Sequence, residues 1–257
     1  MCVVDCMMGV TKLHDVVYIF CELPSAITMF DATTGQRLKD IDVKDFRDPC
    51  DIVACERTSG AYVADNEECI WRVSADGADI QHWLPKSPDD TFKPSALSVT
   101  STRLLVTSQS TRQLRQFDAD GNELRRVQLL RHMEPQHAVE SPTGTFIVSL
   151  YSIEMMQCQV VEVNTGGEVL RQFSGSLLTP LTHIPHVAVD SHGNIFVADY
   201  DNRRIVLLDN HLFLRRVIID EHQLNYDKPR RLCFSELSGQ LWVGLSSTVA
   251  VFDVLCR

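Results

Sequence analysis

Short apolar runs of four to seven residues follow one another along the whole chain, and polar turns separate them. The clearest stretch holds four such runs, at Val187–Asp190, Ile195–Ala198, Ile205–Leu208 and Phe213–Ile219. Runs that are rich in Val, Ile, Phe and Leu and are bounded by Gly, Asn, Asp or Pro are typical of β-strands. The apolar runs predict about 23 strands. No window repeats apolar residues at i, i+3, i+4 and i+7 over three turns, so no long helix is predicted.

Two sequence landmarks recur along the chain with the same period of about 44 residues. The first is an Asp, Ser or Asn that opens a polar turn after an apolar run, at Asp31, Ser74, Asp118, Asn164, Asp209 and Asp253. The second is a proline that precedes an apolar run, at Pro49, Pro94, Pro135, Pro185 and Pro229. Since both landmarks share one period, the chain is predicted to contain six copies of one supersecondary unit.

Four short strands in each unit of about 44 residues indicate the blades of a β-propeller. One blade leaves both of its faces uncovered, and a closed ring of blades buries them. The predicted fold class is therefore an all-β, six-bladed β-propeller, rather than an immunoglobulin-like sandwich of about seven strands. We expect a single domain, residues 1–257, with blades near 1–48, 49–93, 94–134, 135–184, 185–228 and 229–257. The last blade is expected to lack its outermost strand, or to borrow it from residues 1–5 or from a longer polypeptide.

Composition narrows the class of protein further. The chain has 24 basic and 34 acidic residues, hence a net charge of −10, which disfavours a strong phosphate-binding field. Its nine cysteines contain no Cys-x-x-Cys pair, which argues against a zinc ribbon and favours a reducing, cytoplasmic location. A spanning apolar segment and a secretory leader are both missing from the sequence, so no membrane association is expected.

The segment Pro185–Asp209, PHVAVDSHGNIFVADYDNRRIVLLD, resembles an NHL repeat, whose pattern combines Asp-x-x-Gly-x-Ile, Val-x-Asp and Asn-x-Arg-Ile. The second unit matches the Pro, Gly and Val-Ala-Asp marks, but Glu68 stands where the pattern has Asn. The chain is thus similar to the C-terminal NHL propeller (an NHL/TolB-like fold) of invertebrate tripartite-motif-like proteins. That resemblance implies recognition of protein or RNA partners, beside a RING ubiquitin-ligase module that this chain does not contain.

Two polar residues of the strong repeat are interpreted as part of the scaffold. Asp199 is expected to accept hydrogen bonds from backbone N–H groups of its own loop, as short Asx side chains do in turns. Arg204 is expected to reach a carboxylate of a neighbouring blade. Substituting either residue is therefore expected to lower stability before function.

Polar residues just after the blade prolines are expected at the start of the innermost strands, near the central channel. They are Asp51, Ser95, His137, His186, Arg230 and Arg231. Two histidines at equivalent positions of adjacent blades suggest a zinc site as an alternative, and the amidating-lyase propellers, which this chain also resembles, hold zinc through such histidines. A third ligand would have to be His183, on the preceding loop. The favoured interpretation is that these histidines bond to backbone groups and hold no metal.

The sequence contains no Gly-x-Ser-x-Gly, phosphate-binding Gly-rich loop or His-Glu-x-x-His motif, so we expect neither an enzyme nor a cofactor. Arginine pairs at 125–126, 203–204, 215–216 and 230–231 raise a second alternative, a single-stranded RNA binder. These pairs fall in different strands, and few aromatic residues accompany them. A modest patch of Arg203, Arg230 and Arg231 is the part of this idea that the sequence supports.

The function that we predict is a non-catalytic, protein-binding scaffold, as the substrate-recognition part of a larger ubiquitin-ligase-like protein. Loops on rigid scaffolds commonly carry recognition, and the most elaborated ones here span 84–93, 151–157 and 175–185. Met155 and Met156 would make the second loop adaptable to an apolar partner. Tyr151, Tyr200 and Arg203 join the six residues at the blade starts as candidate partner-binding residues, and the chain is expected to be a monomer.

Overall fold

The computed structural model describes residues 5–23, 26–43, 45–66, 69–84, 91–100, 103–176, 178–183 and 185–254. All regular structure in this part of the chain consists of antiparallel β-sheet. Blade one comprises β1 (Asp5–Leu13), β2 (Val16–Leu23), β3 (Ala26–Asp31) and β4 (Arg37–Asp42). Blade two comprises β5 (Pro49–Cys55), β6 (Gly60–Asp65), β7 (Ile70–Ser74) and β8 (Ile80–Leu84). Blade three comprises β9 (Ala96–Thr100), β10 (Arg103–Ser108), β11 (Gln113–Phe117) and β12 (Glu123–Gln128).

The second half of the ring repeats this arrangement. Blade four comprises β13 (Met133–Glu140), β14 (Phe146–Ser152), β15 (Gln157–Val163) and β16 (Val169–Phe173). Blade five comprises β17 (His186–Val189), β18 (Ile195–Asp199), β19 (Arg204–Leu208) and β20 (Leu214–Ile219). Blade six comprises only β21 (Arg231–Ser235), β22 (Gln240–Gly244) and β23 (Val249–Asp253) within the described residues.

The first strands of the blades form the inner wall of a closed ring. Each of them contacts the first strand of the next blade, and β21 of blade six returns to contact β1 of blade one. Within every blade the strands follow in sequence order from the axis outward. The predicted six-bladed propeller is therefore confirmed.

One cluster of buried apolar side chains fills each of the six junctions between neighbouring blades. Between blades five and six, for example, the fully buried Phe196 packs on Phe234, with ring centroids 5.0 Å apart. The junction that closes the ring has a smaller buried cluster, formed by Met7, Val10, Val17 and Trp242. Backbone and side chains approach closely there, because a Cβ on Gly244 would lie 2.6 Å from the sulfur of Met7. The hydrophobic effect acting at these junctions holds the blades together.

The 44-residue landmark has a structural cause. Asp31, Asp118, Asn164 and Asp209 each accept hydrogen bonds, through one side-chain oxygen, from backbone N–H groups two to four residues later. These Asx turns reverse the chain between the third and fourth strands of four blades. In blade two the hydroxyl of Ser74 accepts in a similar way from the amides four and five residues later. Asp253 lies at the end of β23, where the described part of the chain contains no fourth strand.

Blade six ends at an open edge on β23. A groove of about 290 Å³ separates this strand from β20 of blade five, and Val217, Ile219, Phe252 and Val254 are among its lining residues. The prediction that the last blade lacks its outermost strand holds for the described residues. Of the segment predicted as a substitute strand, Asp5 pairs with Leu23 inside blade one, and residues 1–4 lie outside the described part.

Candidate functional site

The ring has two faces, which differ in the loops that they carry. One face, here the connection face, carries the connections between blades and the loops between second and third strands. Hydrogen bonds join these two kinds of loop: the amide of Ile153 donates to His132 O (2.9 Å), and the side chain of Asn202 donates to Pro180 O (3.1 Å). The opposite face, here the hairpin face, carries the other two turns of each blade.

Six exposed large apolar side chains lie in the described loops of the connection face, around blades four and five, and others lie on the outer strands of the blades. On this face they are Leu130, Ile153, Met155, Met156, Leu178 and Tyr226. In the described turns of the hairpin face they are Phe213 and Leu237. Met156 is 78% exposed and Leu178 is 94% exposed, so these side chains lie in water. Ile153, Met155 and Met156 belong to one loop, and exposed apolar side chains that lie side by side are more informative than singly scattered ones.

The loop between β14 and β15 presents two of these side chains in a defined conformation. Met156 lies in the left-handed region at φ 50°, which reverses the chain sharply. The amide of Met155 donates to the hydroxyl of Ser152 at 3.3 Å, and its sulfur accepts from the side chain of Gln159 at 2.9 Å. Tyr151, predicted to bind a partner, is half-buried and packs against the apolar cluster between blades four and five.

A second feature of the connection face is an aromatic and cationic group around Tyr200, which we call the Tyr200 cluster (His183, Tyr200, Asp201, Lys228 and Arg230). The ring of His183 lies 4.4 Å from the Tyr200 ring, and Lys228 Nζ lies 4.4 Å from its centroid. Arg230 donates to the Tyr200 hydroxyl at 3.1 Å. Lys228 pairs with Asp201 at 2.9 Å, and this contact lowers the pKa of the Asp201 carboxyl below its usual value.

Three polar side chains from three blades converge at the axis, and we call them the axial cluster (Asp51, His137 and His186). They lie at the inner strands β5, β13 and β17, and one potential ligand atom of each lies within 4.8 Å of the others. The two imidazole rings stack with centroids 3.8 Å apart. Asp51 and His137 are 4% and 5% exposed, respectively.

Hydrogen bonds from the axial cluster cross between blades. Asp51 accepts from the amide of Leu97 at 2.8 Å, and His137 Nε2 lies 3.2 Å from the carbonyl of the same residue. His186 Nδ1 accepts from the amide of Leu232 at 3.3 Å. Because a carbonyl can only accept, His137 must carry its proton on Nε2.

Two further contacts near the axis connect the remaining neighbours. Thr11 accepts from the amide of Ala54 at 2.8 Å, and Arg231 Nε donates to Met8 O at 2.5 Å. These contacts and the stacked histidines together bridge all six junctions of the ring. The predicted backbone bonding of the two histidines is therefore confirmed, and these side chains help to hold the blades in place.

Burial governs the protonation of the axial cluster. It raises the pKa of Asp51 to about 6, an effect that the positive charge of Arg231 and two backbone hydrogen bonds partly offset. Burial and the charge of Arg231 lower the pKa of His137 to about 3. The pKa of His186 is also well below its usual value, because of burial and the neighbouring His137 and Arg231. Both histidines are therefore neutral at physiological pH.

The structure changes the membership of the metal set that the sequence suggested. His137 and His186 do come together, but His183 is exposed and lies against Tyr200. Asp51 takes the third place beside the two histidines. The sequence marked Asp51 as a residue at a blade start, but nothing in its spacing showed that blade two would meet blades four and five at the axis.

The other predicted site residues fall in different surroundings. Ser95 is half-buried and donates to Thr107 O at 3.0 Å, which connects two strands of blade three. Arg203 lies at φ 48° in the tight turn after Tyr200. Arg230 joins the Tyr200 cluster, whereas Arg231 turns toward the ring closure at Met8. Arg230 and Arg231 therefore do not form one basic patch. Residues 85–90, 177 and 184 of the predicted loops, and Glu68, lie outside the described residues.

The scaffold interpretation of Asp199 and Arg204 needs two corrections. The carboxylate that Arg204 pairs with is not on another blade: it is Asp199 of its own blade, at 2.7 Å directly across the β18–β19 ladder. Toward blade four, Arg204 donates to the hydroxyl of Thr179 at 3.0 Å. Among the described residues, Asp199 accepts from side chains rather than from backbone N–H groups. Arg204 Nε donates to it at 2.7 Å, and Asn202 Nδ2 lies 2.9 Å and 3.0 Å from its two carboxylate oxygens. The cross-strand register places these charges opposite each other, and that register could not be read from the repeat alone.

No helix in the described residues is long and apolar enough to cross a membrane. No protein-family model matches the sequence, and no curated protein is significantly similar to it.

Solved structures with the same fold are nevertheless numerous. Hydrazine synthase of Kuenenia stuttgartiensis is similar with a TM-score of 0.69 and 14% identity, over 98% of this chain and 84% of that one. A streptogramin B lyase gives a TM-score of 0.65 and 12% identity, over 98% and 94% of the two chains. A nidogen/laminin complex gives 0.62 and 14%, over 86% and 82%. At these identities the likeness establishes the fold, a six-bladed β-propeller.

Proposed function

We propose that this propeller is a non-catalytic, protein-binding module whose recognition surface is the connection face of blades four to six. The observation that carries the proposal is that the described loops of that face hold six exposed large apolar side chains, with Met155 and Met156 in one loop, whereas the described turns of the hairpin face hold two. The same face carries the Tyr200 cluster, whose loop is joined to the connection between blades four and five by the hydrogen bond from Asn202 to Pro180 O. Tyr, Met and Arg are enriched at protein interfaces, where aromatic and apolar anchors supply most of the binding energy.

The side chains of this face also indicate which kind of partner segment would bind to it. Methionine side chains are flexible and polarisable, so they adapt to an apolar side chain of varied shape. Lys228 and Arg230 place cations over the Tyr200 ring, 4.4 Å and 5.1 Å from its centroid. A segment that presents an apolar residue next to a carboxylate fits this surface. A protein neighbour of this fold, the nidogen/laminin complex, supports protein recognition in general terms.

Three more specific parts of the proposal, the biological role, the location and the oligomeric state, rest on the resemblance to tripartite-motif-like NHL proteins. In this proposal the propeller recognises substrates for a larger ubiquitin-ligase-like protein, acts in the cytoplasm and is itself a monomer. The cytoplasmic location is supported by six described cysteines that are all free.

Binding of single-stranded RNA is the less favoured alternative. The net charge is −10, and several arginines are already paired with carboxylates, such as Arg126 with Glu123 and Arg171 with Glu162. A propeller that bound RNA through phosphates would lose affinity steeply as salt increases. Absence of binding to mixed single-stranded RNA at low salt would remove this alternative.

The protein-binding proposal is tested by comparing two faces of the same ring. The wild-type propeller, the double variant Met155→Glu/Met156→Glu and the control Leu237→Glu are immobilised and exposed to cell extract. Leu237 is 83% exposed on the hairpin face, so its substitution adds a charge without touching the proposed surface. We expect the same specific protein to be recovered by the wild type and the control, and to be lost with the methionine variant.

Two results would contradict the proposal. One is a partner that the methionine variant retains and Leu237→Glu loses, which would place recognition on the hairpin face. The other is the failure of the intact, folded ring to recover any specific protein.

A further inference from the structure

The outer edge of β23 carries backbone hydrogen-bonding groups that the other blades use to hold a fourth strand. The amide of Val254 donates to Gly239 O at 2.9 Å, across the end of the β22–β23 ladder. Because hydrogen-bonded residues alternate along an antiparallel pair, the N–H and C=O groups of Val249, Val251 and Asp253 point away from β22. Among the described residues no strand lies on that side, so this edge is open.

The other five blades indicate what such an edge binds. In each of them the landmark residue at the end of the third strand donates its amide to the carbonyl of the residue just before the fourth strand, at 2.9–3.1 Å. These bonds run from Asp31 to Gln36, Ser74 to Asp79, Asp118 to Asn122, Asn164 to Glu168 and Asp209 to Phe213. Asp253 is the landmark residue of blade six, and within the described residues its amide makes no such bond. The repeat therefore assigns this edge to a strand.

A second, independent mark of an open strand position lies on blade one. In blades two and three the turn after the landmark contains a glycine at positive φ that packs on the fourth strand of the preceding blade. A Cβ on Gly77 would lie 2.6 Å from Ile41 in β4, and a Cβ on Gly121 would lie 3.8 Å from the carbonyl oxygen of Trp83 in β8. Gly35 is the counterpart in blade one, which follows blade six in the ring, yet no described residue comes within 4 Å of its Cβ position.

The sequence of β23 leaves its edge unprotected against strand addition. Four of the existing outer strands contain a leucine followed directly by a cation, at Leu38-Lys39, Leu124-Arg125, Leu170-Arg171 and Leu214-Arg215. Charged side chains on an outer strand discourage the addition of a further strand. β23 reads VAVFD, with Val251 42% exposed and a single charge at its end. This edge is therefore suited to pairing with another strand.

Asp253 and the groove beside it define the side chains that such a strand should carry. In blade five the landmark Asp209 pairs with Arg215 of the fourth strand at 3.1 Å. Asp253 has the same place in blade six, where the side chain of Gln240 donates to it at 3.2 Å. Phe252 lines the groove of about 290 Å³ between β23 and β20. An apolar residue followed by a cation, as in the four Leu-Lys and Leu-Arg pairs, complements this surface.

We propose that the outer edge of β23 binds an extended segment of a partner protein as the fourth strand of blade six, and that this segment carries an apolar residue followed by Arg or Lys. Main-chain hydrogen bonds to an exposed sheet edge supply affinity in this mode, and side chains supply specificity. A second copy fits less well, because its β23 has no cation for Asp253 and both chains carry a net charge of −10. The inference does not rest on the recognition proposed for the connection face.

The experiment measures, by fluorescence anisotropy, binding of a fluorescein-labelled peptide with the sequence of residues 210–220, which form the turn and fourth strand of blade five. Val251→Pro removes an N–H group from the open edge, at a kind of strand position where proline is tolerated. Leu124→Pro is the matched control, since Leu124 lies at a bulge of the outer strand β12 and is 52% exposed. Thermal melting identifies any variant that fails to fold.

A charge exchange tests the ion pair even if the proline variant does not fold. Asp253→Lys should weaken binding of the original peptide about fivefold, because an attraction at a partly exposed site becomes a repulsion. A peptide with Arg215→Glu should recover that loss on Asp253→Lys. A protein that is merely damaged would bind both peptides weakly.

We expect the wild type and Leu124→Pro to bind one equivalent of peptide, and Val251→Pro to lose about tenfold or more in affinity. Bound peptide should also slow hydrogen exchange of the amides of Val249 and Val251. The variant Met155→Glu/Met156→Glu should bind the peptide like the wild type, because the connection face is not part of this site. That comparison separates the failure of this proposal from the failure of the proposed function.

Four results would overturn the proposal. Two are a folded wild type that does not bind the peptide, and an affinity that is unchanged in both Val251→Pro and Asp253→Lys. The third is peptide binding that appears only after deletion of residues 1–4, which would assign the edge to the N-terminal segment of this chain. The fourth is a wild-type dimer in analytical ultracentrifugation that Val251→Pro dissociates, which would assign the edge to a second copy.

Discussion

Replacing Asp51 with Asn should change how the stability of the ring depends on pH. The substitution retains an oxygen that can accept from the Leu97 amide, but removes the ionisable group. Burial raises the pKa of the Asp51 carboxyl from 3.8 to about 6 in the folded protein. The native state therefore binds this proton more tightly than the unfolded state does.

The sign follows from that difference. The stabilising contribution of protonated Asp51 is fully present below pH 3.8, and it is lost as the pH rises through 6. Between pH 4.5 and 6 the loss amounts to about 2 kcal/mol, at 1.36 kcal/mol for each pH unit. The variant has no carboxyl at this position to lose a proton, so its stability relative to the wild type should increase by about 2 kcal/mol between pH 4.5 and 7.5.

Urea unfolding followed by tryptophan fluorescence, at pH 4.5 and 7.5 and with a chelator present, measures this difference. Taking the difference between variant and wild type cancels the titration of other groups, including the histidines of the axial cluster. Glu154→Gln, which removes an exposed carboxyl on the connection face, is the control. If the difference between Asp51→Asn and wild type is the same at both pH values, Asp51 does not lie in the buried surroundings described here.

Two further predictions concern the scaffold. Phe196→Ala should lower the free energy of unfolding by about 3–5 kcal/mol, because Phe196 is fully buried between blades five and six. The control Phe213→Ala, at an exposed turn of the same blade, should change it by less than about 0.5 kcal/mol. Equal effects of the two substitutions in thermal melting would argue against the packing of that junction. Arg204→Met should lower the free energy of unfolding by about 3 kcal/mol, because it leaves the buried carboxylate of Asp199 without its cation. The double variant Arg204→Met/Asp199→Leu should recover much of that loss. If it recovers none, the two residues do not act as a pair.

The period of the sequence was sufficient to predict the ring. The landmark residues repeat because Asp31, Asp118, Asn164 and Asp209 form the same Asx turn in successive blades. Strand boundaries followed from apolar runs, so that the third strand of blade five, predicted at Ile205–Leu208, is observed at Arg204–Leu208. Local chemistry fixes these features, which is why the sequence alone shows them.

The contacts between blades could not be predicted in the same way. Asp51 meets His137 and His186 only because the ring brings blades two, four and five to one axis, and that convergence depends on how far each blade rotates relative to the next. The partner of Arg204 was misassigned because the choice between its own blade and a neighbour depends on strand register. The roles of Lys228 and Asp201 beside Tyr200 had no signal in the repeat.

Every residue assignment above depends on closure of the ring between the first and last blades. Met7 and Gly244 lie at opposite ends of the chain, and the Met7 sulfur lies 2.6 Å from where a Gly244 Cβ would be. In protein labelled with ¹³C at the methionine methyl groups, we predict a strong nuclear Overhauser effect between the Met7 methyl and the Gly244 α-protons. An assigned spectrum without that cross-peak would contradict a closed ring of six blades.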